Sequence, residues 1–404
     1  MDAVFHDWIN LLLRWLHVVA AIAWIGESIY FVMLDNSLHA PKSEEKKKLG
    51  MFGEMWAVHG GGFYNNQKYL TNPPELPDDL HWSFWKSYTT WLSGFALFSV
   101  LYLASPALYL VNTSAPWAWA AQLSEVDAAG TAVCFLVFGW LVYDFLCRTI
   151  SPNMQRDGLL SIAVALMMVG VAYLTAHIYQ GRAAFLITGA VMATSMSANV
   201  FFWIIPGQRR MVAALKAGEK PNPLDGKRGK QRSVHNTYFT LPVVFLMISN
   251  HYAFTYGSER AWIVMVLFIV AGALIRQFFV LRHSGRNVWA LPVAGVVLLM
   301  VNAYLTATVT APAAAAGSKA AAPAADLAAV SAIVQQRCVA CHSEHPTQEG
   351  FFAPPAGVRL DSDAAIVAAA ERMKKAVGTN TMPLGNLTQM TPAEREVIAR
   401  WSGH

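Results

Sequence analysis

Charge is scarce in this chain. Of its 404 residues 14% are Asp, Glu, Lys or Arg, against 55% hydrophobic, a balance too apolar for an ordinary soluble enzyme of this length. Cysteine is scarce too, with four in all. Cys134 and Cys147 sit inside an apolar stretch and read as buried small residues rather than a disulfide, which leaves Cys338 and Cys341 for other work. No basic residue precedes the first apolar run, and Arg14, His17, Trp24 and Glu27 interrupt its core, so that run is not a cleaved signal peptide and stays in the membrane. There is no internal repeat. The net charge of +5 implies no nucleic-acid partner, because in a polytopic chain the placement of Lys and Arg between loops carries the information.

What is present is a series of apolar stretches near 8–34, 86–111, 126–150, 158–179, 183–205, 236–256, 261–282 and 288–310. Each is about the 20 residues a bilayer requires, and backbone groups in lipid must bond within their own segment, so about eight transmembrane helices are expected. The loops 35–85 and 206–234 are rich in Lys and Arg, whereas 112–125 has none. The basic loops are expected in the cytoplasm, which places both termini outside. Residues 1–310 thus read as a membrane domain, 311–327 as an Ala/Pro-rich tether and 328–404 as a small tail domain.

That tail opens with a helix-like run, Asp326 to Cys338, and carries Cys338-Val339-Ala340-Cys341-His342. Two thioethers at this spacing fix a haem c edge, and the adjacent histidine ligates its iron. Met382, followed by Pro383 in an irregular stretch, is the expected sixth ligand; Met373 and Met390, in or beside helical runs, read as packing. Thr391 and Glu394 form a capping pattern for a last helix. This part resembles the small class I cytochromes c. Since haem c is attached outside the bacterial cytoplasm, the motif supports the same topology as the loops.

Ionisable groups within spans are costly and are functional candidates by default. By depth they form two layers. His17, His177 and His251 lie toward the outer side on three helices and suit a non-covalent haem b. Glu27, Asp144, Asn199, His235, Asn236 and Arg276 lie toward the inner side and suit a polar cavity open to the cytoplasm; a carboxylate paired with Arg276 merely to neutralise charge fits the same residues. The cytoplasmic run His59-Gly60-Gly61-Gly62-Phe63-Tyr64 ahead of Lys68 adds a base, a flat stacking surface and an anion partner around a backbone freed by glycine.

The first-helix run from Leu16 to Glu27, the block Val58-His59-Gly60-Gly61-Gly62-Phe63-Tyr64 and the tail motif Cys338–His342 together make the chain resemble the bacterial membrane-bound urate oxidase (urate hydroxylase) family. The resemblance covers essentially the whole length. It implies an all-α protein of about eight transmembrane helices joined to a cytochrome c domain, in the inner membrane with the tail in the periplasm. It implies oxidation of urate to 5-hydroxyisourate, with electrons passed to cytochrome c and the respiratory chain and no hydrogen peroxide formed. On the depth reading, His59, Glu27, Arg276 and Asp144 are the expected catalytic set, and Phe63, Tyr64, Lys68 and His235 contact substrate. Two rivals are a dehydrogenase for quinol or another small reductant, and a non-catalytic haem-bearing subunit.

Overall fold

The computed structural model describes residues 2–70, 73–257, 260–283, 285–310, 326–348, 351, 354–378 and 381–403. All but the last two residues of the expected tether at 311–327 lie outside these. The chain is mostly helical. Helix α1 spans Asp2–Asn36, α2 Trp85–Phe98, α3 Glu125–Ile150, α4 Asp157–Ile178, α5 Gly181–Ala198, α6 Ile205–Lys216, α7 Pro223–Ile248, α8 Ala261–His283 and α9 Ala290–Thr310. All eight expected spans carry a helix. Among the described residues five helical stretches are long and apolar enough to cross a membrane: Trp8–Asn36, Glu125–Ile150, Asp157–Ile178, Gly181–Lys216 and Ala261–Arg282.

Two helical paths include a more loosely wound turn. Helix α2 runs on into a π-helical turn at Ser99–Leu103, and a second π turn, Asn199–Ile204, joins α5 to α6. Each such turn inserts a residue into the helical ladder and re-aims the side chains around it, which is why π turns concentrate near functional sites. Both stand in cavity walls described below.

The first basic loop is not irregular. Gly53–His59 (β1) and Gly62–Lys68 (β2) pair antiparallel in register, with His59 opposite Gly62, so the all-α expectation misses a hairpin. Its two-residue turn is Gly60-Gly61, at φ +59° and +81°. Positive φ at both positions is the type I′ geometry that matches strand twist, and glycine takes it without strain. Ion pairs close the basic loops onto the helix ends: Lys68 and Lys230 both reach Asp35, at 2.6 and 2.7 Å, and Lys216 reaches Asp78 at 2.8 Å.

The tail has its own core. Leu327–Arg337 (α10), Asp363–Ala368 (α11), Ala370–Gly378 (α12) and Pro392–Arg400 (α13) close over Val330, Val334, Ile366, Ile398 and Trp401. Thr391 and Glu394 form the expected capping box at the start of α13, where Arg337 also binds Glu394. The turn Leu384–Asn386 rests against the single helical turn Pro106–Tyr109 that follows α2. That contact brings the tail to the end of the bundle where α1 begins.

Candidate functional site

Helix α1 organises the interior through one stripe. Arg14, His17, Ala21, Trp24, Ser28, Phe31 and Asp35 follow at spacings of three and four, so they share a face. Along that face, α1, α2, the α5–α6 path and α7 enclose two cavities, one above the other. Trp24 lines both.

The inner cavity has a volume of about 370 Å³. Glu27, Ser28, Phe31 and Asp35 line it from α1, His81, Trp82 and Ser83 from the approach to α2, Gln208 from α6, and Lys230, Ser233 and Asn236 from α7. Its charges are arranged in pairs. Glu27 accepts from Ser83 Oγ at 2.5 Å and Lys86 Nζ at 2.9 Å, and Asp35 accepts from Lys68 and Lys230. Two ammonium groups on one carboxylate leave that end with one positive charge in excess. The side chains of His81 and Gln208 carry no hydrogen bond among the described residues, and so are available to a ligand. The cavity therefore combines flat apolar surface from Trp24, Phe31 and Trp82 with amide, hydroxyl and cationic groups, as suits a planar anion with several polar edges.

Of the expected inner layer, this cavity takes in Glu27 and Asn236 only. Asp144 is 6% exposed and is fully engaged elsewhere: Arg232 at 2.7 Å, Arg148 at 2.6 Å and the Trp203 indole at 2.7 Å. Its cationic partners are thus Arg232 and Arg148 rather than Arg276. His235 is buried against Tyr143, whose hydroxyl lies 2.8 Å from Nδ1. Asn199, on the π turn, ties these groups together by donating to Tyr143 and Asn236 and accepting from Arg232. The network forms a satisfied polar core behind the cavity wall, and the expected roles of Asp144 in chemistry and His235 in binding give way to this one. Arg276 stands apart on α8, its guanidinium 6.0 Å from the Tyr238 ring, and does not line the cavity.

The hairpin is also displaced from it. Phe63 and Tyr64 are exposed, His59 sits beside the turn, and none of the three lines the inner cavity. Lys68 reaches it indirectly, through Asp35. Sequence reasoning missed His81, Trp82, Gln208, Lys230 and Asp35. The signal for Asp35 was present, since it continues the α1 stripe, but His81 and Trp82 fall in a short polar loop where no periodicity marks a direction.

The outer cavity, of about 300 Å³, is mostly apolar and is lined by Arg14, His17, Arg182, Asn250 and His251 among aromatic and aliphatic side chains. Two of the three expected histidines meet here. His177 does not, because its Nδ1 lies 2.7 Å from the Tyr173 carbonyl and its ring stacks on Trp117.

In the tail, His342 Nδ1 lies 2.9 Å from the Val358 carbonyl oxygen. Donation from that nitrogen would leave Nε2 free to ligate, the usual arrangement for a metal-bound histidine. Burial, and then the neighbouring Cys341, push the Cys338 thiol up to about 11, and burial raises Cys341 as well. Met373 and Met390 are buried in the tail core, whereas Met382 is only half-buried and its carbonyl accepts from Arg395. The donor set at Cys338, Cys341, His342 and Met382 fits haem c. Cys134 and Cys147 are both unpaired, Cys147 buried and Cys134 exposed on α3. Among the described residues no group of three or more His, Cys, Asp or Glu is placed to hold a bare metal ion.

A family model described as urate oxidase N-terminal matches residues 3–307. No curated protein and no solved structure matches the chain.

Proposed function

The chain belongs to the urate oxidase N-terminal family, and on that premise we propose that its inner cavity binds urate and oxidises it to 5-hydroxyisourate, with the electrons leaving through the tail. The composition of that cavity carries the reading: three aromatic side chains, Lys230 on an Asp35 carboxylate that Lys68 binds from behind, and an uncommitted amide and imidazole around one space.

Urate is mainly a monoanion at neutral pH. Lys230 supplies the counter-charge, Trp24, Phe31 and Trp82 hold the flat ring, and Gln208 and Ser28 meet its polar edges. His81 takes a proton, which makes the ring easier to oxidise; Glu27, held by Lys86 and Ser83, keeps a fixed negative charge opposite the leaving proton. Urate and water give 5-hydroxyisourate, two protons and two electrons. Haem c, when bound by Cys338, Cys341, His342 and Met382, supplies one-electron acceptance on the way to a respiratory cytochrome c or terminal oxidase, so hydrogen peroxide is not a product.

The contact between Leu384–Asn386 and Pro106–Tyr109 supports a tail on the same side as the N-terminus. With the basic loops inward, that is the periplasmic face of a bacterial inner membrane. Membranes carrying the protein, given urate and oxidised cytochrome c, are expected to reduce two equivalents of cytochrome per urate with no peroxide in air. Oxygen consumption with one peroxide per urate would contradict the reading.

A further inference from the structure

We propose that the outer cavity binds a non-covalent haem b, with His17 and His251 as axial ligands and Arg14 and Arg182 holding its carboxylates. Four observations bear on this. Both histidines line one cavity whose wall is otherwise chiefly apolar, the setting a tetrapyrrole needs. His17 Nδ1 lies 3.0 Å from the Thr90 carbonyl oxygen and 3.2 Å from Ser93 Oγ; donation to the carbonyl fixes the tautomer and leaves Nε2 free to ligate, as in metal-bound histidines generally. Gly94 stands against the ring, where a Cβ would come within 2.7 Å of His17 Cε1, so the imidazole has room only while that position is glycine. Arg182 Nε is buried without a hydrogen-bond partner, and its guanidinium lies 5.4 Å from the Tyr109 ring. A buried guanidinium nitrogen left without an acceptor in a cavity wall suits an anion, and a haem carries two carboxylates.

The placement gives the group a purpose. Trp24 forms a wall of both cavities, and Tyr109, beside Arg182, belongs to the turn on which Leu384–Asn386 of the tail rests. The outer cavity therefore lies between the inner one and the tail. Occupancy of the site does not depend on urate; its service as an electron station rests on the urate reading.

The test uses the full chain purified from cells that attach haem c. Acid-acetone extraction removes non-covalent haem alone, and the pyridine complexes of extract and residue are measured separately. Wild type is expected to release as much haem as stays bound. His17→Ala is expected to release almost none while its covalent haem is unchanged, and Arg182→Gln to release less than wild type. Gly94→Ala, which keeps both ligands but crowds the ring, gives a second route if His17→Ala fails to accumulate; it should lower the extracted haem and alter its absorption bands. No extractable haem from wild type, or wild-type amounts from both His17→Ala and Gly94→Ala, would overturn the proposal, and quinone recovered in place of haem would assign the cavity to a quinol instead. Extractable haem in a chain that does not oxidise urate would uphold this site while sinking the urate reading. Urate-driven reduction of the covalent haem with no extractable haem would do the reverse.

Discussion

In the proposed reading, Lys230 and His81 separate binding from chemistry at the level of single side chains. Lys230→Gln removes the charge that meets the anion, and the account predicts a raised KM for urate with kcat little changed. His81→Gln removes the base and should lower kcat by about 10²- to 10⁴-fold with urate still bound. Steady-state kinetics on the two variants distinguishes these outcomes. Arg276→Gln serves as a control, since its guanidinium faces Tyr238 away from the cavity, and urate kinetics should not move. Asp144→Asn should act on folding instead. It leaves the buried Arg232 short of its counter-charge, a change that costs about 3–5 kcal/mol in buried pairs, and is expected as a loss of folded protein in detergent melts. The sequence marks Asp144 as buried and ionisable but not its partner, because Arg232 lies inside a run of basic residues that reads as a topology signal.

At the scale of elements, α1 is the best-specified piece of the molecule. Its spacing of three and four, from Arg14 to Asp35, is readable without any structure, and it assigns His17 and Asp35 to one face at different depths, as the two cavities require. The first basic loop was the opposite case. Three glycines in succession are compatible with a ligand-binding loop and with a type I′ hairpin turn, and only the pairing of Gly53–His59 with Gly62–Lys68 decides between them. In the tail, the capping box of α13 gives a pH prediction. Burial raises the Glu394 carboxyl, but the Thr391 amide and Arg337 outweigh it and hold the group below its usual range. A carboxylate depressed in the folded state stabilises fully above its unfolded pKa, about 4.3, and loses that contribution as pH falls below it. Glu394→Gln should therefore speed hydrogen exchange in Pro392–Arg400 at pH 7, by the equivalent of about 1 kcal/mol, and match wild type near pH 3. Equal exchange at pH 7 would remove the cap from the tail's stability.

For the whole molecule, helix positions follow from hydropathy, and the structure keeps them; the layering of polar groups by depth is an expectation drawn from the topology. What depth does not give is azimuth. Arg276 and His235 lie at the inner level yet point away from the cavity, while His177 lies at the outer level and stacks on Trp117. Helices α5 and α7 line both cavities, and their facing sides are set by packing against α1 and α2, which no single-helix periodicity reports.

Urate oxidation at the inner cavity is proposed to feed haem in the tail. Stopped-flow mixing of oxidised protein with urate under argon tests it directly, with absorbance at the reduced haem c band as the readout. The wild-type chain should reduce its covalent haem with urate as sole donor, and Lys230→Gln should require more urate for the same rate. A covalent haem that remains ferric in saturating urate, while dithionite reduces it, would contradict the account.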